Sequence, residues 1–373
     1  MVKKLFIAAT GQHKGKTTCT LGICAALKGA GYDVGYCKPV GQKHLTIDGQ
    51  IADKDAVLFA QLLDFKIESK IHSPVVIASG VTTQFIDDPT TFDFHQDLEY
   101  ADEALVKKHE IVVYEGTGHP GVGSIVNCSN PRVAKLLGAE VVLVVEGGIG
   151  KTIDNMNLSR ALFQKHGLDL KGVIINKVHP DKIDRVQQYV TKRLEEYNIP
   201  VLGVIPYDRT LSNPILSTVC MAVRGKVLVN QHKLWNQVEE ILAGTFIEVD
   251  EFTYLKNVLL ITSIRRFKAA MAKIKEGIKD RDVDECPISG VIITGDGRKD
   301  TWYRAQDLQD DYLIENEVPV ITTMFDNYDT VVAISKIEVK INTHTPWKVK
   351  KAIEMVKEHV NLDALLGSKP AEA

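Results

Sequence analysis

A chain of 373 residues exceeds the usual size of one domain and predicts two. With 45% hydrophobic and 25% charged residues it has the composition of a globular protein with a proper core, not of a disordered or fibrous chain. A formal net charge of -3 removes the electrostatic case for nucleic acid or an anionic membrane as partner. No apolar run approaches the ~18 residues of a membrane span, and Met1-Val2-Lys3-Lys4 leads straight into a strand rather than a signal peptide, so the cytoplasm is the expected compartment.

The chain opens with an apolar strand through Leu5, Phe6, Ile7, Ala8 and Ala9. A polar turn follows, Thr10-Gly11-Gln12-His13-Lys14-Gly15. Lys16, Thr17 and Thr18 then begin an amphipathic helix with Leu21, Cys24, Ala25 and Leu27. Strand, turn and helix in that order gather backbone N–H groups and a positive helix end around one point, which is an anion-binding geometry. In the phosphate-loop reading Gly15 lets the backbone approach a phosphate, Lys16 reaches the terminal phosphates, and the Thr17 hydroxyl holds Mg²⁺. Thr10 stands where the full motif has its leading glycine.

Residues 34–37 predict a second strand, running into Lys38-Pro39-Val40-Gly41-Gln42. Asp53 and Asp55 precede a helical run at 56–63, and residues 72–95, rich in Pro, Gly and Thr, read as a long loop over the site. Residues 111–115 form a buried-strand run ending in Glu115, with a glycine-rich loop at 116–123 behind it. Further apolar strands at 141–145, 173–175 and 201–205 alternate with helical segments. Strands apolar on both faces imply a parallel sheet covered on both sides. Its ligands belong at the carboxyl ends of the strands, where Thr10, Lys38, Glu115 and Asn176 all fall.

After residue 222 the pattern changes. Residues 226–244 read as connecting helix. Strands are expected at 258–262, 291–294 and 318–322, and helices at 267–274, 306–315 and 346–359. The expected division is a nucleotide-binding domain at 1–222, a helical connection at 223–247, a smaller α/β domain at 248–362 and a tail at 363–373.

A magnesium ion beside phosphates takes a hydroxyl and one or two carboxylates. Thr17 and Glu115 are the expected ligands, and Asp55 or Asp53 would complete the set. Lys38, held extended by the proline after it, points into the same crevice. Asn176 would read an adenine edge or serve as a turn residue. Residues 147–152, Gly-Gly-Ile-Gly-Lys-Thr, imitate a second phosphate loop, but two cradles on adjacent strands would crowd each other, so a glycine loop beside the true site is expected. His119 reads as a polar loop residue. The six cysteines, Cys19, Cys24, Cys37, Cys128, Cys220 and Cys286, lack ligand spacing and a Gly-x-Cys-x-Gly turn, which excludes a zinc site and a glutaminase nucleophile.

Through residues 10–18, Tyr36-Cys37-Lys38-Pro39-Val40, Asp55-Ala56, Glu115-Gly116-Thr117-Gly118, Asn176 and Gly203-Val204-Ile205-Pro206, residues 1–222 resemble the dethiobiotin synthetase-like P-loop family, which includes cobyrinic acid a,c-diamide synthases. The runs at 115–124 and 146–150 are similar to the N-terminal region of long bacterial phosphotransacetylases. Residues 248–362 resemble the DRTGG domain that follows in those enzymes, through Thr262-Ser263-Ile264-Arg265-Arg266, residues 290–295 and Lys340-Ile341. The resemblance implies ATP and Mg²⁺ as cofactors, with Lys16 on the phosphates, Thr17, Asp55 and Glu115 on the metal, and Lys38 on a carbamate. Ala9 replaces a glycine of the dethiobiotin enzymes, and residues for a diamine substrate are not recognisable. The acetyltransferase domain that follows in phosphotransacetylases has no counterpart in these residues.

Two functions follow from the resemblance. One is a Mg-ATP-binding regulatory or sensor protein that takes a small-metabolite ligand and acts on a partner enzyme such as a separate phosphotransacetylase. The other is an ATP-dependent ligase, carboxylating or amidating, that works through a phosphorylated carboxylate or carbamate with Lys16 and Lys38 as catalytic residues. A homodimer is expected under either.

Overall fold

Six largely apolar runs, buried on both faces, become the parallel strands β1 (Lys3–Ala9), β2 (Val34–Cys37), β3 (Ile111–Glu115), β4 (Glu140–Glu146), β5 (Leu170–Val178) and β6 (Val201–Pro206). They form one sheet in the order β6-β5-β4-β1-β3-β2 with every neighbour parallel. The register sets Ile7 opposite Glu115, Ala9 opposite Val144 and Glu146 opposite Asn176, so the carboxyl ends gather on one rim. The computed structural model describes residues 2–243, 255–278, 286–295, 308 and 310–367. It divides into two units, Met1–Asp208 with Ile341–Ala373, and Arg209–Lys340.

In the first unit the helices α1 (Lys16–Gly29), α2 (Lys54–Leu63), α3 (Phe94–Val106), α4 (Gly150–Lys165) and α5 (Ile183–Glu195) flank the sheet. Phe6, Leu143, Phe163, Val173 and Val190 belong to a continuous core between sheet and helices. Residues 72–95 are not the irregular loop expected. Val75–Val76 pairs with Val40–Gly41, and Val81–Asp87 is helical, because Phe85 and Phe92 both stack on Phe94 and give the segment an apolar anchor. A further helix, Pro346–His359, belongs to this unit and lies on α1. A Cβ added to Gly22 of α1 would meet Val356 Cγ2 at 2.3 Å and the Ala352 carbonyl oxygen at 2.9 Å, so the glycine sets how closely the two backbones approach.

In the second unit β7 (Lys226–Val229), β8 (Glu240–Ala243), β9 (Val258–Ser263), β10 (Ile288–Thr294) and β11 (Val320–Thr322) form a sheet in the order β7-β11-β10-β9-β8, antiparallel only between β7 and β11. Residues 226–244, expected as connecting helix, thus supply both edge strands; ladder pairing along the β-favouring Val227-Leu228-Val229 outweighs the helical period. The helix Ile264–Ile278 covers one face through Phe267, Met271 and Ile274, while Leu216 and Val219 pack on Leu259, Ile261 and Ile292 of the other. The helix Asn327–Ser335 was not foreseen.

The first unit therefore ends near 208, not 222, and takes back the segment after 340. Of the expected helix at 306–315, residues Asp311–Glu315 are helical and 306, 307 and 309 lie outside the described residues, as do 244–254 of the proposed junction. Of the expected tail, Leu362–Leu366 is helical and 368–373 lie outside them. Among the described residues no helix is long and apolar enough to cross a membrane.

Candidate functional site

The turn between β1 and α1 is shaped by Gly15, whose φ of 88° suits glycine and whose missing Cβ makes room for the Asn176 carboxamide, 1.8 Å from where that Cβ would stand. The Asn176 Nδ2 donates to the Lys14 carbonyl at 2.9 Å, and the Lys177 ammonium donates to the His13 carbonyl at 2.7 Å. The end of β5 thereby pins the turn from outside, and the Lys14 ammonium pairs with Glu146 at the end of β4 at 2.5 Å. Asn176 is thus a buried brace of the loop backbone rather than a turn residue.

The α1 N-terminus carries neither a capping side chain nor an acidic residue in its first turn. A helix start that keeps its amide donors uncapped and its positive end unneutralised fits an anion. Lys16 is buried, with its Nζ 3.5 Å from the Gly118 carbonyl of the glycine loop. Gln12 and His13 are exposed, Thr18 half-buried in the first turn, and Thr10 and Gly11 border a cavity of about 680 Å³.

Behind the loop stands a fully buried carboxylate, Glu115, at the tip of β3. The Thr17 hydroxyl donates to its Oε1 at 2.8 Å, the Tyr36 hydroxyl to its Oε2 at 3.2 Å, and the Lys38 ammonium to its Oε1 at 3.1 Å. Lys38 also donates to the Gly116 carbonyl at 3.0 Å and pairs with Asp55 Oδ2 at 3.3 Å. Burial works against the Lys38 charge, but Glu115 first, then Asp55 and Asp53, outweigh it and hold the ammonium above its ordinary range. Burial also raises the Tyr36 phenol, with Glu115 adding to the effect, so it stays a neutral donor.

Asp53 and Asp55 have separate jobs. Asp53 caps α2: its Oδ1 accepts from the Asp55 amide and its Oδ2 from the amides of Gln42 and Lys43. Burial raises its pKa, partly offset by Lys38. Asp55 instead faces Lys38 and is the carboxylate on the site side.

The structure therefore brings together Lys16, Thr17, Lys38, Asp55 and Glu115. Thr17 reaches Glu115, and Glu115 and Asp55 share Lys38; a hydroxyl and two carboxylates are the hard oxygens that Mg²⁺ takes beside phosphate and water. Among the described residues no three or more His, Cys, Asp or Glu form a metal cage of their own. The donor set therefore fits a metal shared with phosphates.

The mimic at 147–152 begins the N-terminal part of α4, where the Thr152 hydroxyl is spent on the Glu146 carbonyl at 2.7 Å. Asn130 escaped sequence reasoning: it accepts from the Thr117 amide and donates to the carbonyls of Thr117 and His119, fixing the glycine loop. A lone Asn in a helix start carries no signal for that role.

The model of the AAA_26 family, described as an AAA domain, matches residues 3–215. A probable cobyric acid synthase of Methanococcus maripaludis is 25% identical over 336 residues, covering 79% of this chain and 67% of that protein. One from Methanococcus vannielii is 29% identical over 61% of this chain and 50% of its own length. A phosphate acetyltransferase of Nitrosomonas europaea is 21% identical over 97% of this chain and 51% of its own length. The chain thus spans about half to two thirds of these curated relatives.

Proposed function

The chain belongs to the AAA_26 family of AAA domains, and from that premise we propose that it is a regulatory protein which binds Mg-ATP on the loop of residues 10–18. The observation that carries this reading is the uncapped start of α1 beside the Thr17–Glu115 pair. The loop amides and Lys16 bind the phosphates, while Thr17, Asp55 and Glu115 hold the cation. Magnesium, when bound, offsets the charge of the phosphates. The alignment over nearly the whole chain with a phosphate acetyltransferase supports a two-unit regulatory architecture. On this reading residues 209–340 form a DRTGG-like unit that takes a small-metabolite ligand, the output goes to a partner enzyme such as a separate phosphotransacetylase, and the protein works as a homodimer.

A second reading, an ATP-dependent ligase, is favoured by one observation. Lys38 is 3% exposed and shared between two carboxylates, an arrangement beyond what holding phosphates requires. In that reading Lys38 orients a carboxylate or carbamate acceptor, and Lys16 offsets charge that develops on the transferred group.

Calorimetric titration of the whole protein with ATP, ADP and GTP in magnesium decides the first point. Saturable heat with ATP is expected, and Lys16→Ala should weaken it at least about tenfold, the worth of one charge-assisted contact. No heat at millimolar nucleotide would sink both readings. ADP release that depends on an added acid or amine, and is lost in Lys38→Met with nucleotide affinity kept, would select the ligase.

A further inference from the structure

The second unit is an insertion: the chain leaves the first unit after Asp208 and comes back at Ile341. On the outgoing side the crossing is tied to residues that brace the phosphate loop. The Tyr207 amide donates to the Val178 carbonyl at 2.7 Å, and Val178 follows Asn176 and Lys177, whose side chains donate to the carbonyls of Lys14 and His13. His13 and Lys177, joined by one of those bonds, both stand in the left-handed region, with φ of 58° and 60°. That conformation is unfavourable for a residue with a Cβ and persists only where its surroundings hold it, as they do at switch regions.

On the returning side stands the helix Pro346–His359. Its second half is fixed by two close backbone approaches. Val356 lies against Gly22, and a Cβ added to Gly203 would meet the His359 carbonyl oxygen at 2.3 Å. Contacts so tightly packed do not slide. The first half lies by the carboxyl end of β6, where Lys351 pairs with Asp208 at 3.2 Å, both side chains partly exposed. One ion pair thus joins the last residue before the insertion to the helix on which the chain returns. An exposed pair of this kind changes an equilibrium by at most about fivefold, weak enough to open and close.

We propose that the Asp208–Lys351 pair is a clasp that couples the two crossings, so that a nucleotide on the phosphate loop orders both ends of the inserted unit together. The assignment rests on the nucleotide reading and gives it an output. Phosphates fix the loop, the loop fixes His13 and Lys177, the strand end fixes Tyr207 and Asp208, and the clasp carries the order to the returning segment. Coupling needs an element with two arrangements that the ligand biases, and the strained His13–Lys177 junction supplies it.

The test is hydrogen exchange of the whole protein with and without Mg-ATP, read at residues 207–208 and 342–345, with the strand Val258–Ser263 as a control inside the second unit. Mg-ATP is expected to slow exchange at 207–208 and, through the clasp, at 342–345 by about twofold to fivefold, leaving the control strand unchanged. In Lys351→Ala the slowing at 207–208 should remain and that at 342–345 should vanish, with ATP affinity by calorimetry kept. Combining Asp208→Lys with Lys351→Asp should restore it. A lysine that only stabilises its helix would instead speed exchange at 342–345 by the same factor with and without nucleotide. That result overturns the clasp, as does slowing at 342–345 that survives Lys351→Ala. ATP heat with no slowing at either crossing overturns the proposal and leaves the nucleotide reading standing; no ATP heat removes both.

Discussion

Burying the Glu115 carboxylate is expensive unless donors surround it, and Thr17, Tyr36 and Lys38 all donate to it. Lys38 in turn is placed by its own backbone, whose amide donates to the His72 carbonyl at 2.8 Å. The His72 ring packs against Phe65 in a tilted pair, centroids 4.6 Å apart, and its Nδ1 accepts the Glu68 amide at 3.0 Å. Burial pushes this imidazole from 6.5 down to about 4. The folded value lies below the unfolded one, so the neutral ring is the stabilising form. Its contribution is complete above about pH 6.5 and is lost as the pH falls towards 4. The loss is roughly 3 kcal/mol across that window. Urea unfolding at both ends of the window should show this extra loss relative to His72→Gln; equal pH slopes for the two proteins would refute it. Lys38, Asp55 and Glu115 were legible in the sequence because each ends a strand or begins a helix on the sheet's carboxyl rim. The choice between Asp53 and Asp55 was not, since both are good helix-start residues and only the fold shows which one caps.

At the scale of elements, the alternation of two-faced apolar strands with helices made the first sheet readable, and 34–37, 111–115 and 346–359 were expected at the ends they have. The edge strands at Lys226–Val229 and Glu240–Ala243 were misread because their apolar runs, Val227-Leu228-Val229 and Ile241-Leu242-Ala243, are too short for spacing to tell strand from helix. Nothing in sequence spacing says that Pro346–His359 lies on α1. That pairing has a testable sign. Alanine in an exposed helix interior is worth about 1 kcal/mol over glycine, so an open Gly22 would gain stability as Gly22→Ala. Here the new methyl meets Val356 and the Ala352 carbonyl, and overpacking of this kind costs about 1–3 kcal/mol. Gly22→Ala should therefore lower the urea midpoint of unfolding. A raised midpoint would mean that the two helices do not pack there.

At the scale of the whole molecule, a domain that leaves the chain and returns is invisible to any scan for composition shifts, because the returning segment resembles an ordinary C-terminal helix. The second unit is continuous from Arg209 to Lys340, and both faces of its sheet carry apolar clusters of their own. The first unit is discontinuous: besides the Gly22 contact, Val360 bridges to Gly203 on β6 and the Asn361 amide donates to the Leu202 carbonyl at 2.8 Å. A fragment of residues 209–340 should thus unfold cooperatively by circular dichroism in urea. A fragment of residues 1–208 leaves the α1 face and the β6 edge uncovered. It should melt below the full chain, gain susceptibility to protease and recover when residues 341–373 are joined back through a short Gly/Ser linker. A fragment 1–208 as stable as the full chain would show that the returning helix is an ornament on a complete domain, and the boundary would move back toward a single continuous first unit.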